Sequence, residues 1–263
     1  MALQIDVVPA FNDNYIWLIS QPDLPHVYVV DPGDASPVLE WLQQSGSQLA
    51  GILLTHHHPD HTGGVERLLQ HRSVPVYGPE STRIPAVTEA FHDGDHLRIL
   101  DTDFRVIEVP GHTLDHIAFL ADPGAGQAPL LFCGDTLFAS GCGRLFEGDP
   151  PMMLASLGKL ASLPDTTRVY CAHEYTRANL AFARAAEPDN AAIAEREQAV
   201  IALREQDRIT LPSDLATEKR TNPFLRCHKD SVRQRCSEHA GRTLTTEVDT
   251  FAALRQWKDN FQG

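Results

Sequence analysis

The segment Thr55-His56-His57-His58-Pro59-Asp60-His61 constrains this chain more than any other. It follows the apolar run Ile52–Leu54 and precedes Thr62-Gly63-Gly64, so a strand is expected to end and a loop to begin there. Where the backbone is still extended, residues two apart point the same way. His56 and His58 then converge on one point while His57 faces elsewhere. Asp60 and His61 fall on the turn that follows, free to serve a second ion. Imidazole nitrogen and carboxylate oxygen suit zinc, iron or manganese, and ligand sets without cysteine are common in catalytic rather than structural sites. The plain alternative is a histidine-rich surface loop, but the apolar strand before the cluster and the paired glycines after it argue against that.

Three more ligand types stand after apolar runs: His112 in Pro110-Gly111-His112-Thr113, Asp135 in Cys133-Gly134-Asp135-Thr136, and His173 in Cys171-Ala172-His173-Glu174-Tyr175. Each is weak alone, and an isolated Asp135 would more often be a turn residue or a helix cap. Together they complete a seven-ligand set. His57 and His116 are placed to orient a ligand from outside the set. His26, His71, His92, His96, His228 and His239 are scattered and read as surface or structural residues.

Alternating strand-like runs and turn signals fill the first half: Leu3–Val8, Tyr15–Ile19, Val27–Asp31, Gly51–Thr55, Val74–Tyr77, Phe104–Val109, Ile117–Ala121 and Leu130–Cys133. Helices are expected near Pro37–Gln44, Gly63–Leu69 and Pro151–Leu160. After Val169–Ala172 the texture turns to Ala, Glu, Arg and Gln. Thr176–Ala186 and Ala191–Gln206 read as helices, the second capped by Asp189 or Asn190, and the tail from Thr245 to Phe261 as another. No strand is expected beyond Ala172, and Thr210–Leu225 reads as an ordered loop. The expected architecture is two sheets packed face to face with helices outside, then a helical region, with a boundary near residues 174–176.

The formal net charge of −13 disfavours nucleic acid as a partner. A small anionic substrate would need local cations, and Arg144, Arg255 and Lys258 are the candidates. No apolar run approaches the roughly 20 residues that span a bilayer, and the N-terminus lacks a basic start followed by an apolar stretch, so no membrane association and a cytoplasmic location are expected. Five cysteines without CxxC spacing read as reduced, mostly buried thiols rather than a disulfide framework or thiolate zinc site.

The ordered motifs T-H-H-H-x-D-H, G-H-T, G-D-T and A-H-E-Y resemble those of the metallo-β-lactamase superfamily over residues 1 to about 175. Phe11-Asn12-Asp13-Asn14-Tyr15-Ile16-Trp17, Leu211-Pro212-Ser213, Asn222-Pro223-Phe224-Leu225-Arg226 and Arg255-Gln256-Trp257-Lys258 resemble, more closely, the glyoxalase II (hydroxyacylglutathione hydrolase) family. The resemblance implies an α/β (α+β) fold, a four-layer αββα sandwich over residues 1–174, followed by a smaller all-helical, substrate-binding domain over 175–263. It implies two divalent metal ions, zinc first with iron or manganese as alternatives. His56, His58 and His112 would hold one ion, Asp60, His61 and His173 the other, and Asp135 would bridge them. His56, His58, Asp60 and Asp135 would thereby be catalytic as well.

The implied reaction is hydrolysis of a glutathione thioester such as S-D-lactoylglutathione by a hydroxide that two ions about 3.5–4 Å apart generate from water. Glutathione contacts would fall at Arg144, Phe146, Tyr175, Arg255 and Lys258, in a protein expected to act as a monomer. Three positions depart from the family's commonest pattern: Arg144 and Phe146, where lysine and tyrosine are usual, and Asp115, where glycine is usual. The competing readings are a persulfide dioxygenase, a lactonase or a β-lactamase on the same fold, or a non-catalytic metal-binding module. Metal content and thioesterase turnover separate them.

Overall fold

A computed structural model describes residues 3–124 and 126–262. The strands are β1 Gln4–Ala10, β2 Asn14–Ser20, β3 His26–Val30, β4 Gln48–Leu53, β5 Val76–Pro79, β6 Glu89–Phe91, β7 His96–Ile99, β8 Thr102–Glu108, β9 Ile117–Asp122, β10 Leu130–Gly134, β11 Leu137–Phe138, β12 Gly141–Cys142, β13 Arg168–Cys171 and β14 Ser213–Asp214. The helices are α1 Ala35–Ser45, α2 Pro59–Thr62, α3 Val65–His71, α4 Pro150–Ala161, α5 Thr176–Ala186, α6 Ala191–Arg204, α7 Leu215–Thr221, α8 Asp230–Ala240 and α9 Glu247–Asp259, with a 3-10 turn at Pro223–Leu225. One sheet runs β1-β2-β3-β4-β5-β6, a second runs β14-β13-β10-β9-β8-β7, and β11 and β12 form a small hairpin.

The chain divides into two compact units that alternate along the sequence. The first comprises residues 1–109, 115–134 and 170–173; the second comprises 110–114, 135–169 and 174–263.

In the first unit the first sheet is antiparallel from β1 to β3 and parallel from β3 to β6. The crossover between β3 and β4 is α1. Asp34 caps it by accepting a hydrogen bond from the Ser36 amide at 2.8 Å, and Gly46 ends it at φ 72°, a conformation glycine adopts without steric cost. Ala35, Val38 and Leu42, at helical spacing, bury one face of α1 against Val27, Val29, Ile52 and Leu54. Burying each such aliphatic side chain contributes roughly 1.5–3 kcal/mol.

Strand β2 is buried along nearly its whole length, as Asn14-Tyr-Ile-Trp-Leu-Ile-Ser shows. Trp17 of β2 meets Tyr170 of β13 edge-on at 5.0 Å and donates its indole N–H to the Cys171 carbonyl at 3.0 Å. Tyr170 stacks on Phe132 at 5.1 Å, and Phe132 on Phe104 at 6.5 Å. This aromatic ladder is where the two sheets face one another, as the strand pattern predicts.

In the second unit, Leu180, Ala183, Ile193 and Val200 join α5 to α6, and an aromatic cluster of Phe182, Phe224, Phe251 and Trp257 seats α9. Asn190 caps α6 by accepting from the Ala192 amide. Sequence reading misses several features here, the β11–β12 hairpin among them. Strand β14 follows Ala172 after all, pairing Ser213 with Val169 and Asp214 with Arg168. The stretch read as a loop over Thr210–Leu225 holds β14, α7 and the 3-10 turn, and α8 was not anticipated. Two-residue strands and short polar helices carry no periodicity to read. All five cysteines are buried thiols outside any disulfide. Burial raises the thiol of Cys142 to about 11 and that of Cys236 to about 12.

Candidate metal centre

The candidate ligands stand just beyond strand ends: β4 stops at Leu53, β8 at Glu108, β10 at Gly134 and β13 at Cys171. In the first unit, Asp31 sits at the end of β3 beside the start of the histidine segment. It adopts φ 51° and is 4% exposed. Its carboxylate accepts the Thr55 amide at 2.8 Å, the Thr55 hydroxyl at 2.7 Å and His61 Nδ1 at 3.0 Å. The single proton of the Thr55 hydroxyl is thereby committed to Asp31, which leaves its oxygen to accept from His56 Nδ1 at 3.0 Å. Protons on Nδ1 turn the Nε2 lone pairs of His56 and His61 outward as donors to a metal.

His56 Nε2 and His58 Nδ1 lie 3.0 Å apart, brought together by a bend at Thr55–His56 beyond β4 rather than by extended backbone. Pro59 opens the short α2, on which Asp60 and His61 are adjacent. Asp60 Oδ2 lies 3.5 Å from His61 Nε2 and 3.4 Å from His173 Nε2. One ligand atom from each of Asp60, His61 and His173 falls within 4.8 Å of the others. His173 Nδ1 meets Asp13 Oδ1 at 2.7 Å, and Asn14 Nδ2 donates to Asp60 Oδ2 at 3.1 Å. Gly33 is required here, because a Cβ would come within 1.8 Å of the Asp60 carbonyl.

His57 points away, with Nδ1 against the Asp115 carboxylate at 2.9 Å and Nε2 accepting from Arg83 at 2.9 Å. His116 stacks flat on the His56 ring at 4.5 Å and so braces a candidate ligand directly.

In the second unit, His112 Nε2 lies 3.4 Å from Asp135 Oδ2, and His112 Nδ1 meets the Arg144 carbonyl at 2.8 Å. The Phe146 ring packs edge-on to His112 at 5.3 Å, and the Phe146 amide donates to the His112 carbonyl at 3.2 Å. Arg144 and Phe146 are largely exposed, and Tyr175 packs edge-on to Phe138. Arg255 is only 5% exposed. Its guanidinium donates to the Cys142 carbonyl at 2.9 Å and pairs with Asp259 at 2.9 Å, and Asp259 also lies 3.6 Å from Arg144 Nε. Burial, followed by the charges of Arg255 and Arg144, lowers the pKa of Lys258.

The donor set fits divalent metal ions. Four histidines have the outer ring nitrogen engaged by a carboxylate, a hydroxyl or a carbonyl, the arrangement that fixes the tautomer and orientation of a metal-binding imidazole. Sequence reading did not assign Asp31, Asp13, Asn14 or Thr55 to this role. The available signals were Asp31 at the close of an apolar strand before Pro32-Gly33, and Asp13 and Asn14 within the Phe11–Trp17 motif.

Residues 14–173 match the family model described as metallo-beta-lactamase superfamily, and residues 174–261 match that of the hydroxyacylglutathione hydrolase C-terminus. A protein of Pseudomonas fluorescens named hydroxyacylglutathione hydrolase is 54% identical over 260 residues, covering 98% of this chain and all of the relative. One from Nitrosomonas eutropha with the same name is 52% identical over 262 residues, again covering 98% and 100%. This chain belongs to the hydroxyacylglutathione hydrolase family. Its fold is that of the metallo-β-lactamase superfamily, with two sheets followed by a helical C-terminal region.

Solved structures agree on the fold of this hydroxyacylglutathione hydrolase family member. The crystal structure of ETHE1 from Myxococcus xanthus superposes with a TM-score of 0.65 at 22% identity, covering 99% of this chain and 91% of that one. That of TTHA1623, in a di-iron-bound form, gives 0.58 at 27% identity, covering 82% and 98%. Among the described residues, no helix is long and apolar enough to cross a membrane.

Proposed function

We propose that this protein hydrolyses S-(2-hydroxyacyl)glutathione thioesters, S-D-lactoylglutathione among them, with residues 1–174 carrying the chemistry and 175–263 binding glutathione. Full-length relatives at 52–54% identity named hydroxyacylglutathione hydrolase carry this reading. The persulfide dioxygenase and lactonase alternatives gain nothing from the structures, because likeness at 22% identity extends to the fold alone. Five thiols outside any disulfide suit a reducing compartment, and we place the protein in the cytoplasm.

His56, His58 and His112 would hold one divalent ion and Asp60, His61 and His173 a second, with Asp135 shared. Zinc is our first choice. Such a pair of ions supplies an activated water at neutral pH and polarises a carbonyl oxygen. Asp31 and Asp13 hold the protons of His61 and His173 on Nδ1. Asp60, oriented by Asn14, sets a carboxylate oxygen between His61 and His173. A glutathione thiol has a pKa near about 8.5, so it departs as a thiolate without a strong general acid.

Arg144, Lys258 and Arg255 place three cations around Asp259 in a chain of net charge −13. That is the local positive field an anionic tripeptide requires. Arg255 contributes charge from a buried position, while Phe146 and Tyr175 would offer contact surface. Deleting α9 is no clean test, because Phe251, Leu254 and Trp257 are core residues.

Lys258→Ala should instead raise KM for S-D-lactoylglutathione about five- to tenfold with kcat nearly unchanged, and should leave hydrolysis of a simple uncharged thioester intact. Equal losses on both substrates would refute the role of Lys258 in recognition. Phe146→Tyr adds one hydroxyl to an exposed ring beside His112. If it reaches the glutathione backbone, one neutral hydrogen bond of about 0.5–1.5 kcal/mol lowers KM roughly two- to tenfold at constant kcat. Steady-state kinetics that show an unchanged KM would place Phe146 away from the peptide.

A further inference from the structure

The hairpin formed by β11 and β12, residues 137–142, has its main-chain polar groups held by side chains from the helical part of its own unit. Glu218 of α7, fully buried, accepts the Ser140 amide at 2.8 Å. Asn222, equally buried, donates to the carbonyls of Phe138 at 3.2 Å and Gly141 at 2.9 Å. Asn179 of α5 donates to the Ala139 carbonyl at 3.0 Å. Arg196 of α6 ties the set together, donating to Ser140 Oγ at 3.0 Å and to Glu218 at 2.6 Å. Ser140 adopts φ 55°, an unfavourable conformation for a residue with a Cβ, so this turn depends on outside support.

The base of the hairpin is the second unit's share of the candidate metal centre. The Gly143 amide bonds to the Thr136 carbonyl at 3.2 Å. A Cβ on Gly143 would fall 2.0 Å from the Asp135 carbonyl and 3.0 Å from His112 Nδ1, so no slack exists there. The next carbonyl, that of Arg144, fixes the His112 tautomer. Any slide of the hairpin moves Asp135, Gly143 and Arg144 as one piece.

We propose that Glu218, Arg196 and Asn222 are positioning residues whose grip on the 137–142 hairpin holds Asp135 and His112 in ligand geometry. The helical region then completes the metal centre as well as binding substrate. This rests on the assignment of Asp135 and His112 as ligands. A fully satisfied buried polar network rigidifies what it holds, whereas breaking one member strands the others.

The test uses the full-length metal-loaded protein with Glu218→Gln, which keeps the shape and an acceptor but removes the charge from Arg196, and with Asn222→Ala. Ile193→Ala serves as control, because Ile193 packs with Leu180, Ala183 and Val200 in the α5–α6 core. Metal release to a competing chelator is measured well below each melting temperature, alongside kcat/KM on glutathione and uncharged thioesters. The positioning variants should release metal about ten- to a hundredfold more readily than wild type and lose activity equally on both substrates, the scale seen when a ligand's supporting contact is removed. The control should melt lower yet hold metal normally.

Wild-type metal retention in both variants, or retention that tracks melting temperature across all three, would overturn the proposal. The chelator readout does not depend on which thioester is the substrate, so a failure of the proposed activity would be distinguishable from a failure of this inference.

Discussion

Asp135→Ala should abolish turnover and deplete metal at both positions, because Asp135 is assigned as the single carboxylate shared by the two ions. The side chain is 9% exposed, with Oδ2 3.4 Å from His112 Nε2. It stands where β10 ends at Gly134, which has φ 46° and a Cβ position that would meet Thr55 Oγ1 at 2.3 Å. Substitution removes one charged contact to each ion. At about 1.5–3 kcal/mol for each such contact, the combined loss is about 3–6 kcal/mol, or roughly two to four powers of ten in affinity. Elemental analysis of the purified variant should find fewer than two metals per chain, and S-D-lactoylglutathione hydrolysis should fall below detection. Asp135→Asn, which retains shape and one acceptor, should keep more metal than Asp135→Ala. A fully active Asp135→Ala protein with two metals would remove Asp135 from the bridging role and with it the binuclear assignment.

Asp31→Ala has the second-largest expected effect, although Asp31 is not a proposed ligand. Its carboxylate satisfies three donors at once: the Thr55 amide, the Thr55 hydroxyl and His61 Nδ1. All of these are buried, with Thr55 and His61 fully so. Stranding buried donors costs about 1–3 kcal/mol each, so the metal-free protein should lose about 3–5 kcal/mol of stability, a large share of the roughly 5–15 kcal/mol typical of a domain. The loss should appear in urea unfolding as a lower midpoint at an unchanged slope.

The same substitution frees the tautomers of two histidines. His61 Nδ1 loses the Asp31 carboxylate, and the Thr55 hydroxyl becomes able to donate to His56 Nδ1 rather than accept from it. Metal affinity should therefore fall about ten- to a hundredfold beyond any effect on folding. Wild-type metal affinity in a folded Asp31→Ala protein would show that these contacts stabilise the fold without tuning the ligands.

Much of the site was legible because ligand chemistry is local. The two-residue period of an extended chain pairs His56 with His58; they do meet at 3.0 Å, but from a bend beyond the end of β4 rather than from a strand. Pro59 opens α2, which sets Asp60 and His61 side by side. The strands carrying the ladder of Trp17, Phe132 and Phe104 were readable from alternation and β-branched content. By contrast, the seven-residue Leu215–Thr221 helix and the polar α8, which buries only Val232 and Cys236, left no apolar stripe to detect. Arg255 shows the same limit at a single residue. The chain marks it as a cation near the C-terminus, and only the fold buries it against Cys142 and Asp259.

The sequence by itself determined the candidate ligand types, their order along the chain, the two-sheet architecture and the family, since each rests on residue identity and short-range spacing. Tertiary structure alone decided which partners orient the candidate ligands: Asp31 for His61, Asp13 for His173 across 160 positions, the Arg144 carbonyl for His112, and Glu218 and Asn222 for the hairpin beyond Asp135. Hydrogen bonds of about 3 Å between residues far apart in sequence depend on where strands and helices end in space, and no local periodicity encodes that.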